Sequence, residues 1–334
     1  MQDIGTIGIL GGGSWATALA KIVLTNRQEI NWYMRRSEQV EEFKRMGHNP
    51  NYLPSAEFDT NCIHFFTDPE VNNFFRSCDT IILVTPSPYF KGVMKRVRKS
   101  SIRGKFIVNA IKGLVPDEHI LISEYLEREF DVPKDLISVV GGPCHAEEVA
   151  RGRRSYLTVA ATDLMMAEAF AQVMRNDFVS CVTTKDVIGV QYSSVLKNIY
   201  AIASGIAMGL MFGDNFQSVL MSNAIAEMNN FLNATHLEYR DITDSVYLGD
   251  LLVTAYSQHS RNRTFGNMIG RGYSVRSAQM EMEMVAEGYY ATKSMHEINR
   301  KYRLNMPIME TIYSILYDRD DPREAMLELS KTFK

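Results

Sequence analysis

The chain has 334 residues, 46% hydrophobic and 22% charged, with a formal net charge of −3. This suits two globular domains of roughly 100–200 residues each, excludes a disordered chain, and leaves no global basic field for nucleic acid. Four scattered cysteines (Cys62, Cys78, Cys144, Cys181) show neither zinc-ligand spacing nor a disulfide framework, so reduced thiols, no metal and a cytoplasmic protein without an apolar leader are expected.

A short buried strand, Ile7–Leu10, runs into Gly11-Gly12-Gly13-Ser14-Trp15-Ala16, and a helix is predicted over Thr17–Thr25. Gly-x-Gly-x-x-Ala between strand and helix points to dinucleotide binding. Gly11 allows the tight turn, Gly13 lets the backbone approach a pyrophosphate, Ala16 keeps the helix close to the sheet, and the helix N-terminus faces the anion. The second strand, Ile30–Tyr33, ends in Met34-Arg35-Arg36 with no Asp or Glu. Two guanidiniums there suit a ribose 2′-phosphate, unless both are simply solvated.

After a loop rich in Asn and Pro, strands are predicted at Ile63–Phe66, Thr80–Val84, Phe106–Asn109 and Leu136–Val140, and helices at Pro88–Lys99 and Glu118–Glu129. The basic run from Lys91 to Lys105 reads as a solvated helix face and its exit loop. Alternating strands and helices of this length indicate a Rossmann-type, doubly wound, mainly parallel sheet. Lys112 and the turn Gly141-Gly142-Pro143-Cys144-His145 follow strand ends, where open sheets of this kind place ligands. Adjacent Cys144 and His145 lack an orienting third group and are discounted as a catalytic pair. Strand Tyr156–Ala161, helix Leu164–Arg175 and strand Val179–Val182 complete the first domain, residues 1–186.

Residues 187–334 read as an all-helical second domain. The stretch Val187–Gly213 predicts one long helix with a single charged residue, Lys197. Its polar residues leave it short of the ~20 apolar residues of a membrane span. A lysine enclosed there is either a base with a lowered pKa or a snorkelling side chain at a core edge. Gly213 is expected to end this helix and Asp214 to cap the next; Asp321, followed by Pro322 and Glu324, caps the last. The cluster Ser260-Arg261-Asn262-Arg263 has the donors of a phosphate clamp, with a solvated loop as the alternative.

Taken together, these residues resemble NAD(P)-dependent glycerol-3-phosphate dehydrogenase of the bacterial, cytosolic type over nearly the full length. The shared pieces are GGGSWATALA, Lys112-Gly113, Gly142-Pro143-x-x-Ala146-x-Glu148, Leu196-Lys197-Asn198, Gly213-Asp214-Asn215, Gly249-Asp250-Leu251, Ser260-Arg261-Asn262-Arg263-x-x-Gly266 and Val285-x-Glu287-Gly288. The resemblance implies that Lys197 accepts the proton of the C2 hydroxyl of glycerol 3-phosphate, the reaction that yields dihydroxyacetone phosphate and supplies phospholipid synthesis. It implies substrate contacts from Lys112, Gly142, Cys144, Lys197, Asp250, Ser260, Arg261 and Asn262. Cofactor contacts are implied at Ser14, Trp15, Arg35, Ala146, Val285 and Glu287; Gly11, Gly13 and Arg36 are expected to join them from the loop and strand-end reading, with Lys112 and Arg261 also expected to reach the cofactor. NAD(H) or NADP(H) would serve, the latter at least as well given the two arginines. A homodimer is compatible with this reading. The chain departs from the family with Gln191-Tyr192-Ser193-Ser194 where Glu-Leu-Gly-Gly is usual, Asn223 for a usual arginine, His145 for a large apolar residue, and Arg153-Arg154 for a more apolar pair. A ketopantoate-reductase or hydroxy-acid-dehydrogenase type enzyme, and a non-catalytic NADP-binding sensor, stay open as alternatives.

Overall fold

The computed structural model describes residues 3–282 and 284–334. It divides into two compact units: residues up to Ile111 with Ile122–Val187, and Lys112–Leu121 with Ile188–Lys334. The first unit is built on eight short strands: β1 (Ile7–Leu10), β2 (Ile30–Tyr33), β3 (Ile63–Phe66), β4 (Thr80–Leu83), β5 (Phe106–Asn109), β6 (Ile137–Gly141), β7 (Ser155–Ala161) and β8 (Val179–Thr184). Their order is β3-β2-β1-β4-β5-β6-β7-β8, parallel throughout except for the antiparallel β6–β7 pair. β1, β2, β4 and β5 are buried along their whole length, as expected of strands covered on both faces. Strand order reverses between β1 and β4, and their register aligns Leu10 with both Tyr33 and Leu83. The glycine loop after Leu10 and the Arg35-Arg36 step after Tyr33 therefore lie together at the ligand-binding edge of the sheet.

The second unit is helical and surrounds helix Val187–Gly209. Every residue of that helix from Gly189 to Ala207 is buried, including its polar ones. Helix Arg261–Gly270 runs beside it in the same direction at backbone contact. A Cβ on Gly266 would lie 2.1 Å from the Ile202 carbonyl oxygen, and one on Gly270 would lie 2.4 Å from that of Ile206. From the other helix, a Cβ on Gly205 would meet the Arg263 carbonyl oxygen at 2.1 Å. Only glycine permits an approach this close. Further on, the buried Glu227 carboxylate accepts from the Ile308 and Met309 N–H groups (2.8 and 3.1 Å) and so caps helix Pro307–Tyr313. Among the described residues no helix is long and apolar enough to cross a membrane.

Several predicted boundaries move. The first helix begins at Ser14, so Ser14, Trp15 and Ala16 form its first turn. The Lys197 helix stops at Gly209 rather than Gly213. The chain turns through Met211 (φ 62°) while Arg323 donates to the Leu210 carbonyl at 3.3 Å. Gly213 then opens the next helix, and Asp214 makes no capping bond; it lies in the first turn. The helix predicted at Pro88–Lys99 is two pieces, Ser87–Met94 and Lys99–Ile102. That predicted at Glu118–Glu129 starts at Ile122, because Val115 and Ile120 pair as an antiparallel bridge. Asp321 does cap the last helix, accepting from Arg323 and Glu324.

Candidate active site

The glycine loop is held by side chains that bind its carbonyls. Trp32 Nε1 donates to the Gly11 oxygen (2.6 Å), Asn49 Nδ2 and Gln39 Nε2 to that of Gly12 (3.1 and 3.3 Å), and Thr17 Oγ1 to that of Gly13 (3.0 Å). Gly11 has φ 143°, and a Cβ there would lie 2.7 Å from the Val84 carbonyl oxygen. Around Gly13 the situation is opposite: a Cβ would meet no heavy atom within 4 Å. The tight turn is thus at Gly11 and the open approach at Gly13. Helix Ser14–Val23 has no side-chain cap, so its N-terminal N–H groups suit an anion.

Arg35 and Arg36 are exposed at the end of β2. One carboxylate does stand near them: Asp68, after β3, is engaged by the Tyr33 hydroxyl and by Arg96. Partial burial raises its pKa, but these bonds outweigh that and hold it below the ordinary carboxylate value. Beyond β6, Gly142 (φ 115°) turns the chain, Cys144 is buried, and Ala146 begins a short helix that packs on helix Ser14–Val23.

In the second unit the decisive feature is an ion pair. Lys197 and Asp250 are 2% and 1% exposed, and the ammonium contacts the Asp250 carboxylate directly. Asp250 lies 53 residues from Lys197 in sequence and enters from a π-helical turn, Ser245–Gly249, that leads straight into its helix. Burial pulls the Lys197 pKa from 10.5 down to about 7; Asp250 opposes this, and the Lys112 ammonium nearby adds to it. A lysine poised there can give or take a proton near neutrality.

Next to Lys197, Asn198 joins the surrounding segments. Its Nδ2 donates to the Lys112 carbonyl (3.0 Å), and its Oδ1 accepts from Asn262 Nδ2 (2.9 Å). Asn262 Oδ1 in turn accepts from the Gly288 N–H (2.9 Å), one residue past Glu287 at the start of helix Glu287–Tyr302. Ser260 caps helix Arg261–Gly270, accepting from the Arg263 N–H at 3.3 Å. Ser260 and Asn262 therefore use their side chains to shape the helix start, while Arg261 is partly exposed there with Nη1 3.9 Å from the Met284 sulfur. Val285 is likewise partly exposed.

Thus Lys112, Lys197, Asp250, Ser260, Arg261, Asn262 and Glu287 belong to one connected centre within the second unit. Gly11, Gly13, Ser14, Trp15, Arg35, Arg36 and Ala146 gather on one part of the first. Sequence reasoning missed the anchors Trp32, Gln39 and Asn49, and the role of Asn198. The polar position next to an enclosed lysine was a usable signal for Asn198, whereas nothing in the pattern marked Asn49.

The family descriptions "NAD-dependent glycerol-3-phosphate dehydrogenase" N-terminus and C-terminus match residues 6–167 and 186–327. The glycerol-3-phosphate dehydrogenase [NAD(P)+] of Lysinibacillus sphaericus is 34% identical over 330 residues, covering 98% of this chain and 96% of its own length. That of Enterococcus faecalis is 34% identical over 327 residues, covering 97% and 94%. Among solved structures, glycerol-3-phosphate dehydrogenase from Coxiella burnetii superposes with a TM-score of 0.91 at 29% identity, covering 98% of this chain and 99% of its own. Matched across both units and nearly end to end, the chain belongs to the NAD-dependent glycerol-3-phosphate dehydrogenase family.

Proposed function

We propose that this protein interconverts dihydroxyacetone phosphate and sn-glycerol 3-phosphate using NADPH or NADH. The buried Lys197–Asp250 pair carries the reading, because it places a lysine of pKa about 7 on a helix bonded to the start of the Arg261 helix. The first unit fits a dinucleotide: the turn closes at Gly11, space is open at Gly13, and a helix N-terminus adjoins both. Gly11, Gly13, Ser14, Trp15 and Ala146 would hold it, with Arg35 and Arg36 toward a 2′-phosphate.

When bound, the reduced nicotinamide supplies a hydride to C2 of the ketone. Lys197, as ammonium, gives its proton to the C2 oxygen as negative charge develops there. Burial favours the neutral amine left behind, and the reverse reaction uses that amine as base. Asp250 keeps the ammonium form accessible, and Lys112 is positioned to stabilise the oxyanion. Arg261 and the N-terminus of its helix hold the phosphate, which orients C2. We place the reaction upstream of phospholipid synthesis, in the cytoplasm; the net charge of −3 gives no global basic field for nucleic acid.

The test is NADPH oxidation with dihydroxyacetone phosphate, compared with 2-keto acids. Turnover confined to 2-keto acids, or none at all, would overturn the assignment. Lys197→Ala should lower kcat by about 10²–10⁴ while cofactor still binds; wild-type kcat in that variant would remove Lys197 from the chemistry.

A further inference from the structure

We propose that the Ser194 hydroxyl donates a hydrogen bond to the substrate phosphate at the N-terminus of the Arg261 helix. This rests on the reading of the centre as one that takes a phosphorylated ketone.

Ser194 is 3% exposed, and its Oγ has no hydrogen-bond partner among the described residues. Several other polar side chains of the same helix are engaged, although the Tyr200 hydroxyl, beside Glu227, is also without a hydrogen-bond partner among the described residues. Ser193 donates to the Val190 carbonyl, Lys197 pairs with Asp250, Asn198 bridges Lys112 and Asn262, and Ser204 bonds Gln217 and the Ala255 carbonyl. A buried hydroxyl left without a partner is unfavourable and calls for a specific reason.

The position of Ser194 supplies one. It precedes Lys197 by three residues and Asn198 by four, so it projects from the same face, between them and one turn earlier. The Arg261 helix runs alongside in matched steps: Asn262 meets Asn198, Gly266 meets Ile202, and Gly270 meets Ile206. One further step back from the Asn262–Asn198 pair leaves the Arg261 helix at its N-terminal end and arrives at the level of Ser194. An anion placed at that N-terminus, where the first N–H groups and the helix dipole favour negative charge, would have the Ser194 hydroxyl beside it. Phosphate oxygens only accept, so the orphan hydroxyl gains an acceptor and the anion gains a donor. The C1 hydroxyl of the substrate lies on the other side of C2 from the phosphate and is the competing partner.

The experiment compares the wild type with Ser194→Ala, Ser194→Gly and Ser194→Thr. The probes are dihydroxyacetone phosphate and acetol phosphate, which keeps the phosphate but lacks the C1 hydroxyl. Acetol phosphate is measured as a substrate or, if not reduced, as a competitive inhibitor. The Ala and Gly variants should raise KM (or Ki) for both compounds by the same factor. That factor should be on the order of tenfold to a hundredfold, as for a lost hydrogen bond to a charged group. KM for NADPH should stay unchanged, Ser194→Thr should restore much of the loss, and ligand-free Ser194→Ala should melt no lower than the wild type. An unchanged KM for dihydroxyacetone phosphate would overturn the proposal. So would a loss confined to dihydroxyacetone phosphate, which would mark a C1 contact, or an equal rise in KM for NADPH, which would mark the cofactor. A wild type that reduces no phosphorylated ketone would instead overturn the reading of the whole centre.

Discussion

Replacing Asp250 with Asn removes one charge from a fully buried pair and leaves the shape nearly intact. Lys197 already titrates at about 7 with the carboxylate in place. At ~3 Å and an effective dielectric of ~20, the attraction between the two charges is ~5.5 kcal/mol, equivalent to ~4 pKa units. Relaxation and the amide's own hydrogen bond recover part of this, so a further drop of ~1.5 units is a conservative expectation. At pH 7.5 about a quarter of Lys197 is then ammonium in the wild type and about one hundredth in the variant, by ordinary titration. Ketone reduction, which needs the ammonium, should fall about 25-fold at pH 7.5 and hardly at all near pH 5. Alcohol oxidation, which needs the amine, should hold at pH 7.5. The linkage has a definite sign. Because the folded pKa lies below the unfolded 10.5, the Lys197 contribution to stability is present above 10.5 and lost as pH falls through about 7. The variant should lose it at lower pH still. Full pH profiles of kcat/KM in both directions are the assay. An equal loss at every pH, in both directions, would refute the reasoning and make Asp250 a substrate contact rather than the partner that tunes Lys197.

Two further outcomes follow from geometry. Gly266→Ala would put a Cβ 2.1 Å from the Ile202 oxygen, so the melting temperature should drop by ~3–10 °C, as for an overpacked core of this size. Gly13→Ala, whose Cβ meets nothing within 4 Å, should melt like the wild type yet raise KM for NADPH. Arg35→Ala combined with Arg36→Ala should raise KM for NADPH selectively, by about tenfold to a hundredfold; equal changes for NADH and NADPH would make both arginines solvated surface.

Much of this was legible because it is local. The glycine loop depends on residues adjacent in sequence, and strands such as β1, β4 and β5 announce themselves as short apolar runs between polar turns. Lys197 stood out because a charge amid helical apolar spacing is conspicuous. Asp250 is named only through the resemblance, as a substrate contact; its pairing with Lys197 has no sequence signal, since the two residues are 53 apart and are buried together only when their helices meet. Asn262, expected as a phosphate donor, also joins Asn198 to Gly288 through its amide, a link with no sequence signal. Glycines 205, 209, 266 and 270 carry no local signal of their role, which is set where two helix backbones touch. The end of the Lys197 helix was misplaced for a related reason: Gly209 and the Met211 turn set it, and a positive φ at methionine has no sequence signature.

The ten residues Lys112–Leu121 leave the first unit after Ile111, pack with the second, and hand the chain back at Ile122. On a ribosome this decapeptide emerges long before the helix it serves, and the Lys112 carbonyl must wait for Asn198 to be synthesised. The helical unit is therefore completed by a segment that is not contiguous with it in the chain. A gene split at the start of residue 188 would yield a second half lacking both Lys112 and the acceptor for Asn198. Complementing halves, or grafting this helical unit onto another dinucleotide-binding scaffold, would have to supply the decapeptide as well to keep Lys112 and the acceptor for Asn198.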